Sequence, residues 1–280
     1  MQKRKTSIKI PATIKYFAGA LEKISPKLAL KFGLALFYKP IRFQRPEREN
    51  KIYYLATLDN LLLKGRKIRT FSWKKGEKKI LLVHGWSGRG TQMNKLVESL
   101  LANNFSVYSF DAPAHGESEG KRTHMYEFVD AILEMEKKVG KFDLIIGHSM
   151  GGIAALNAVN KGVDAPKVVI IGTPNLIENV ITDFCMNINF SDKMIPLIKD
   201  YIETRYDERI TSVSGEVVGE KIDIPILIIH DENDIDVQYS EAETMNNKIA
   251  KSELFSTKNL GHRRILADDN VIREIIDFIA

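Results

Sequence analysis

The residues best suited to chemistry in this 280-residue chain form the pentapeptide Gly147-His148-Ser149-Met150-Gly151. A largely apolar run at residues 142–146 precedes it, and a helix-compatible run at residues 152–159 follows it. A strand that turns sharply into a helix lifts a serine hydroxyl clear of the main chain, and glycines flank the serine because side chains would collide in so tight a turn. The pattern therefore predicts a nucleophilic Ser149, provided that other residues supply a base, an acid and donors for an oxyanion.

The candidate base is His262. A serine hydroxyl needs a general base, and histidine suits neutral pH because its unperturbed pKa lies close by. Among six histidines, His262 stands in a loop between the last predicted strand and the last predicted helix, at the sheet edge where Ser149 should emerge. The competing interpretation of a lone loop histidine is a solvated side chain.

The candidate acid follows the predicted strand at residues 226–229, where four acidic residues lie within six positions. An acid is needed to fix the tautomer of the base and to stabilise its imidazolium form. Asp231 lies too near the strand to reach over the edge, so Asp234, where the loop turns back, is the first choice and Asp236 the second. A solvated acidic loop would explain the charge but not its position in chain order.

Two main-chain N–H groups are the candidate oxyanion donors, because a tetrahedral intermediate needs such donors. One belongs to Met150, the residue after the nucleophile. The other belongs to Trp86 in the loop His84-Gly85-Trp86-Ser87-Gly88-Arg89-Gly90, which follows the apolar run at residues 80–83. A phosphate-binding glycine loop is the alternative, but the lysine-Ser/Thr ending and the dinucleotide spacing are both missing.

The elements that position these residues alternate between strand and helix from residue 52 onward. Fully apolar runs are typical of strands covered on both faces, and the alternation predicts an α/β fold with a mostly parallel sheet of about eight strands flanked by helices. Strands are predicted at residues 67–73, 80–83, 106–110, 142–146, 168–171, 226–229 and 253–256, and helices at 91–103, 124–139, 152–159, 238–250 and 270–279.

An insertion breaks this rhythm at about residues 173–222, which lack a clear strand and contain helical patterns. An insertion after a central strand lies over the carboxyl edge of the sheet, where open α/β sheets bind ligands. We therefore predict a helical cap within a domain of residues 52–280. A peripheral helical bundle away from the site is the alternative.

The basic charge is concentrated in an N-terminal extension, residues 1–51. It contains thirteen basic and three acidic side chains, a net +10, whereas the rest of the chain has 28 basic and 33 acidic side chains, a net −5. The acidic body argues against a nucleic-acid partner. Two amphipathic helices are predicted, at residues 10–24 and from residue 26 to about residue 38, and residues 42–51 are predicted to be a linker. The helices either pack on the catalytic domain or make weak contact with an anionic membrane.

Compartment and cofactors are constrained by a few features. The single cysteine, Cys185, allows no intramolecular disulfide, and no His/Cys spacing suggests a metal. No segment is long and apolar enough to span a membrane, and the basic start Met1-Gln2-Lys3-Arg4-Lys5 lacks the apolar region of a signal peptide. We expect a cytoplasmic protein that is at most peripheral to a membrane, without a cofactor or a metal.

From about residue 52 onward, the chain resembles the α/β-hydrolase superfamily. The matching motifs are His84-Gly85, Asp111-Ala112-Pro113-Ala114-His115-Gly116-Glu117-Ser118, Gly147-His148-Ser149-Met150-Gly151, the Asp234 loop and Gly261-His262. The order Ser, Asp, His is that of the superfamily. The resemblance implies that Ser149 is the nucleophile, His262 the base and Asp234 the acid, with oxyanion donors at Trp86 and Met150. Dehalogenase relatives have aspartate in place of this serine, so dehalogenation is disfavoured.

The resemblance implies a serine hydrolase that cleaves a carboxylic ester, thioester or related acyl bond of a small-molecule substrate. Apolar residues at the site favour an apolar acyl group, with medium-chain esters as the first expectation. A lyase or perhydrolase that keeps the triad, and a non-catalytic binding protein with the same fold, are the alternatives. The residues predicted to line the substrate pocket are His84, His148, Leu176 and Ile177.

Overall fold

The structure is a computed structural model that describes residues 10–279. The start considered above as a signal peptide, Met1-Gln2-Lys3-Arg4-Lys5, lies outside the described residues. Within residues 10–279, no helix combines the length and the apolar composition that crossing a bilayer requires.

An eight-stranded sheet forms the centre of the molecule and confirms the predicted fold class. In the sheet the strand order is β1-β2-β4-β3-β5-β6-β7-β8; β1 and β2 pair antiparallel, as do β2 and β4, and the other pairs are parallel. The strands are β1 Thr57–Leu63, β2 Arg66–Trp73, β3 Lys79–Val83, β4 Ser106–Phe110, β5 Leu144–His148, β6 Val168–Ile171, β7 Ile226–Asp231 and β8 Ser252–Thr257.

Strand β1 was missed in the sequence because most of it is exposed at the sheet edge and shows no core pattern. It pairs with β2 through the two-residue turn Lys64-Gly65, and both turn residues have positive φ (48° and 78°). This is the turn geometry that matches the right-handed twist of a hairpin.

Helices cover both faces of the sheet. The helices are α1 Ala12–Ile24, α2 Pro26–Phe37, α3 Asn50–Leu55, α4 Asn94–Ala102, α5 Met125–Val139, α6 Met150–Asn160, α7 Ile177–Asn187, α8 Met194–Tyr206, α9 Gly215–Gly219, α10 Tyr239–Lys248, α11 Gly261–Arg264 and α12 Asp269–Ile279. Side chains alternate between the faces, so β3 contributes Leu81 and Val83 to one core and Ile80 and Leu82 to the other. Helices α5, α6, α9 and α10 cover the first core, and α3, α4 and α12 cover the second.

A third apolar cluster joins the N-terminal extension to the insertion. Ala18 on α1 and Ala29 on α2 are fully buried against residues of α7 and α8. The contact is close because a Cβ added at Gly33 would lie 2.7 Å from the ring of Phe190. We call the packed unit of α1, α2, α7 and α8 the helical lid. The extension is therefore packed on the insertion instead of standing apart from it.

The structure corrects the prediction that residues 42–51 are a linker. Residues 41–49, which we call the strap, lie against the catalytic domain, and α3 already begins at Asn50. The Arg42 guanidinium donates to the carbonyl oxygens of Ala114, Ser118 and Gly120. Charged residues suggested a solvated linker, but here they satisfy main-chain acceptors and one of them, Glu49, is buried.

Truncation of Phe190 should destabilise the helical lid. We expect Phe190→Ala to lower the free energy of unfolding by about 3–5 kcal/mol, because a buried ring is lost and a cavity is left beside Gly33. Leu197→Ala is the matched control, since Leu197 on α8 is 37% exposed, and should cost about 1 kcal/mol or less. Urea unfolding measures both values, and equal losses would contradict the packing.

Candidate active site

The turn that carries Ser149 joins β5 to α6 in a strained conformation. Ser149 has φ 54° and ψ −121°, and its N–H donates to the carbonyl oxygen of Ile171 at the end of β6 (2.9 Å). Such angles are unfavourable for a residue with a side chain and persist only where the surroundings impose them. Here a Cβ at Gly151 would collide with the carbonyl oxygen of Val83, and one at Gly147 with that of Gly151. The glycines on either side of Ser149 are thus required by close main-chain packing.

The imidazole of His262 and the carboxylate of Asp234 are hydrogen-bonded to each other. Nδ1 of His262 lies 2.7 Å from Oδ2 of Asp234. The other carboxylate oxygen accepts the N–H groups of Asp236 (2.8 Å) and Val237 (3.0 Å). Asp234 therefore uses both of its oxygens, and Asp236 contributes a main-chain donor. Since Nδ1–H of His262 is the donor to a carboxylate, Nε2 of the neutral ring is left unprotonated, as a general base requires.

The electrostatics of Asp234 favour its ionised form. Burial alone would raise the pKa of Asp234, but the hydrogen bond and charge of His262 and the two main-chain N–H groups together lower this pKa below its ordinary value.

The side chains of Asp234, Asp236 and His262 also bring atoms that could bind a metal ion within 4.8 Å of one another. The hydrogen bonds already made by Asp234 favour a paired carboxylate over a ligand set.

Gly172, at the end of β6, brings the His262–Asp234 pair to the sheet edge that carries Ser149. Gly172 has φ 54°, and a Cβ there would lie 3.2 Å from Nδ1 of His262 and 3.4 Å from Oδ2 of Asp234. The preceding residue, Ile171, accepts the hydrogen bond from Ser149. Sequence analysis missed Gly172. The pattern Ile-Gly-Thr gives no sign that a side chain at this position would collide with Asp234 and His262, which lie more than sixty positions further along the chain.

The loop after β3 meets the Ser149 turn directly. A Cβ added at Gly85 would lie 2.9 Å from Cβ of Ser149. Trp86, the next residue, and Met150 are both half-buried against the first core. Across the described chain, neither the N–H of Trp86 nor that of Met150 donates a hydrogen bond to the protein. Both N–H groups are therefore without a partner in the described protein, next to Gly85 and Ser149 in the chain.

The strap is hydrogen-bonded to the loop that follows β3. The N–H of Ile41 donates to Oγ of Ser87 (3.0 Å), and Arg89 donates to the carbonyl oxygen of Gln44 (2.9 Å). Further along, Oγ1 of Thr91 donates to Oε2 of Glu49 (2.7 Å). Sequence analysis missed this connection, since hydrogen bonds between segments so far apart in the chain leave no pattern.

The predicted pocket residues separate into two groups. His84 is fully buried, accepts the N–H of Ala112 at Nε2 (2.9 Å) and donates from Nδ1 to the carbonyl oxygen of Gly85 (2.7 Å). It is therefore not available to a substrate, and its assignment to the pocket was wrong. Leu176 and Ile177, at the start of α7, are half-buried, and Ile177 contacts both the first core and the lid cluster.

His148 is buried and reaches the site through its neighbour His262. Its Nε2 lies 2.8 Å from the carbonyl oxygen of His262, to which it donates, and the two rings are 4.7 Å apart. Burial lowers the pKa of His148 to about 3, so the ring is neutral at pH 7. His148 thus supports the main chain of the candidate base and is not exposed to a ligand.

The sequence profile of a known family matches most of the chain. Residues 80–271 match the sequence profile of the alpha/beta hydrolase family. Since this is more than half of the sequence, the chain belongs to the alpha/beta hydrolase family. The profile does not include α1, α2 or the strap.

Individual relatives are more distant. The chain is 30% identical over 87 residues to the uncharacterized hydrolase YugF, and 31% identical over 88 residues to the phospholipase YtpA, both of Bacillus subtilis strain 168. These matches span 30% and 29% of this chain and about a third of each relative (32% and 34%). The esterase Pf2001 of Pyrococcus furiosus has a similar fold, with a TM-score of 0.66 and 16% identity over 86% of this chain and 98% of that one.

The buried neutral histidines predict a loss of stability in acid. Burial lowers the pKa of His84 to about 4 and that of His148 to about 3, from an ordinary value of 6.5. As the pH falls below about 6.5, the unfolded chain binds protons on these residues before the folded chain does, so the free energy of unfolding falls, by about 2 kcal/mol per histidine at pH 5.

Urea unfolding of wild type and His84→Asn between pH 7 and pH 5 measures this effect. The free energy of unfolding should fall less over that interval in the variant than in wild type. The variant lacks one histidine that binds a proton in the unfolded chain but not in the folded chain. The same pH dependence in both proteins would contradict a neutral, buried His84.

Proposed function

We propose that this protein is a serine hydrolase that cleaves a carboxylic ester, thioester or related acyl bond through an acyl-enzyme on Ser149. The single observation that carries the proposal is the hydrogen-bonded pair of His262 and Asp234 at the sheet edge where the strained turn presents Ser149. Membership of the alpha/beta hydrolase family supports it.

In the first step, Nε2 of His262 accepts the proton of Ser149 while Oγ attacks the acyl carbon. The negative charge that develops on the carbonyl oxygen is stabilised by the N–H groups of Trp86 and Met150, which have no other partner in the described protein. The ionised Asp234 stabilises the imidazolium. When the intermediate collapses, His262 gives its proton to the departing alcohol or thiol.

In the second step, His262 accepts a proton from water, and the hydroxide equivalent attacks the acyl-enzyme. The same two N–H groups stabilise the second oxyanion, and the returning proton restores the Ser149 hydroxyl as the acid leaves. The rigid loop and turn matter here because donors fixed beforehand need not reorganise during the reaction.

The substrate is proposed to carry an apolar acyl group. The half-buried side chains of Trp86, Met150, Leu176 and Ile177 lie beside the free donors or at the start of the lid. The phospholipase name of YtpA, a relative over 88 residues, is in line with a lipid-like acyl substrate. Medium-chain esters are therefore the first substrates to test.

Replacement of Ser149 tests the nucleophile. We expect Ser149→Ala to lower kcat for p-nitrophenyl butyrate by on the order of 10⁴- to 10⁶-fold, because attack and proton transfer both require the hydroxyl. Ser240→Ala, at an exposed serine on α10, is the matched control and should leave kcat unchanged. Activity that survives in Ser149→Ala would overturn the proposal, and a wild type without any acyl transfer would favour a binding protein instead.

Replacement of Ser87 tests whether the strap positions the oxyanion donors. Ser87→Ala removes the acceptor of the Ile41 N–H, and we expect kcat to fall about tenfold with little change in KM. The reason is that donor placement matters more in the transition state than in the ground state. Steady-state kinetics measure both constants, with Ser240→Ala again as the control. A higher KM at unchanged kcat would contradict this prediction, because it would show that the strap affects substrate binding and not the stabilisation of the transition state.

A further inference from the structure

The outer surface of α1 and α2 exposes large apolar side chains that lie outside the buried cluster of the lid. Tyr16 and Ile24 are 81% and 79% exposed, and Phe17 and Leu28 are 53% and 54% exposed. The inner surfaces of the same helices already bury Ala18, Ala29 and other residues in the lid cluster. None of the four exposed side chains belongs to the lid cluster, although the ring of Phe17 packs edge-on against that of Phe32. Ile24 and Leu28 flank Ser25, where the two helices meet.

Lysines surround these apolar residues. Lys23, Lys27 and Lys31 are exposed beside Ile24 and Leu28, and none of the three has an ion-pair partner among residues 10–279. Residues 1–51 carry a net +10, while the remainder of the chain carries −5. The surface thus combines lysines without ion-pair partners among residues 10–279 with apolar side chains that are more than half exposed to solvent.

An anionic bilayer matches both properties better than a nucleic acid or a second copy of the chain does. A nucleic acid offers phosphates but no apolar phase for Ile24 and Leu28. A second copy of the chain offers an apolar surface, but it would bring two extensions of +10 together, which repel each other. An anionic bilayer offers phosphates at its surface and an apolar interior directly beneath, and amphipathic helices with lysines at the margin bind such interfaces.

We propose that the α1–α2 hairpin docks the protein on anionic lipid bilayers, with Ile24 and Leu28 inserted below the headgroups and Lys23, Lys27 and Lys31 at the level of the phosphates. Binding needs both parts, since the lysines attract the protein to the surface and the apolar side chains hold it there. The hairpin packs on α7 and α8 as part of the helical lid, so the docked bilayer contacts the lid directly. For the proposed acyl hydrolase, and resting on that function, this supplies lipid acyl chains near the site.

Vesicle flotation of the full chain tests the proposal. The vesicles contain either phosphatidylcholine alone or phosphatidylcholine with 30% phosphatidylglycerol. The variants are Ile24→Asp/Leu28→Asp, which removes the apolar contact, and Lys23→Gln/Lys27→Gln/Lys31→Gln, which removes three charges. Leu62→Asp is the matched control, because Leu62 is 68% exposed but lies on the edge strand β1 and not on the α1–α2 hairpin. Circular dichroism spectra check that each variant folds.

We expect wild type to float with the anionic vesicles and not with phosphatidylcholine alone, and high salt to release it. The triple lysine variant should bind about 100-fold more weakly, and the double aspartate variant should lose at least tenfold, while Leu62→Asp binds like wild type. Wild type that stays unbound, or folded variants that bind as well as it does, would overturn the proposal. A dimer in solution that the double aspartate variant dissociates would also overturn it, because a second copy would then cover the surface. Binding does not require Ser149, so Ser149→Ala should float like wild type whether or not the protein is a hydrolase.

Discussion

The site depends on one constraint, the strained main chain of Ser149. A residue with a side chain at φ 54° costs on the order of 1–3 kcal/mol relative to a relaxed conformation. Close packing offsets this cost, because Gly151 lies against β3, Gly152 against Thr173 and the N–H of Ser149 is bonded to the end of β6. The turn thereby holds β3, β5 and β6 in fixed relation at the sheet edge. The loop after β3 and Gly172 then bring the free N–H donors and the His262–Asp234 pair to the same place.

The N-terminal extension is built into this arrangement at two points, although the family profile begins only at residue 80. Its helices α1 and α2 share one buried apolar cluster with Ile181 and Ile198 of the insertion. Its strap is hydrogen-bonded to the loop that contains Trp86. The same segment therefore packs on α7 and α8 and is hydrogen-bonded to the loop after β3. It also carries the basic, apolar outer surface that we propose meets a bilayer.

Much of the fold could be predicted from sequence because its parallel strands are continuous apolar runs and its helices follow with regular spacing. The positions of Ser149, Asp234 and His262 at one edge follow from the same alternation, since loops after parallel strands share an edge. Three kinds of feature escaped prediction. Strand β1 is exposed and has no core pattern, Gly172 matters only through residues distant in the chain, and Arg42 in the strap looks like any solvated arginine. The assignment of His84 to the pocket was wrong because main-chain groups bond both of its nitrogens.

The most direct test of the central claim is to trap the acyl-enzyme. Wild type is incubated with a slowly deacylating p-nitrophenyl ester, and its mass is measured intact and after proteolysis. The account predicts one added acyl group per chain, located on the peptide that contains Ser149, and no such group in Ser149→Ala. An unmodified chain that nevertheless releases p-nitrophenol, or an acyl group on a different residue, would contradict it.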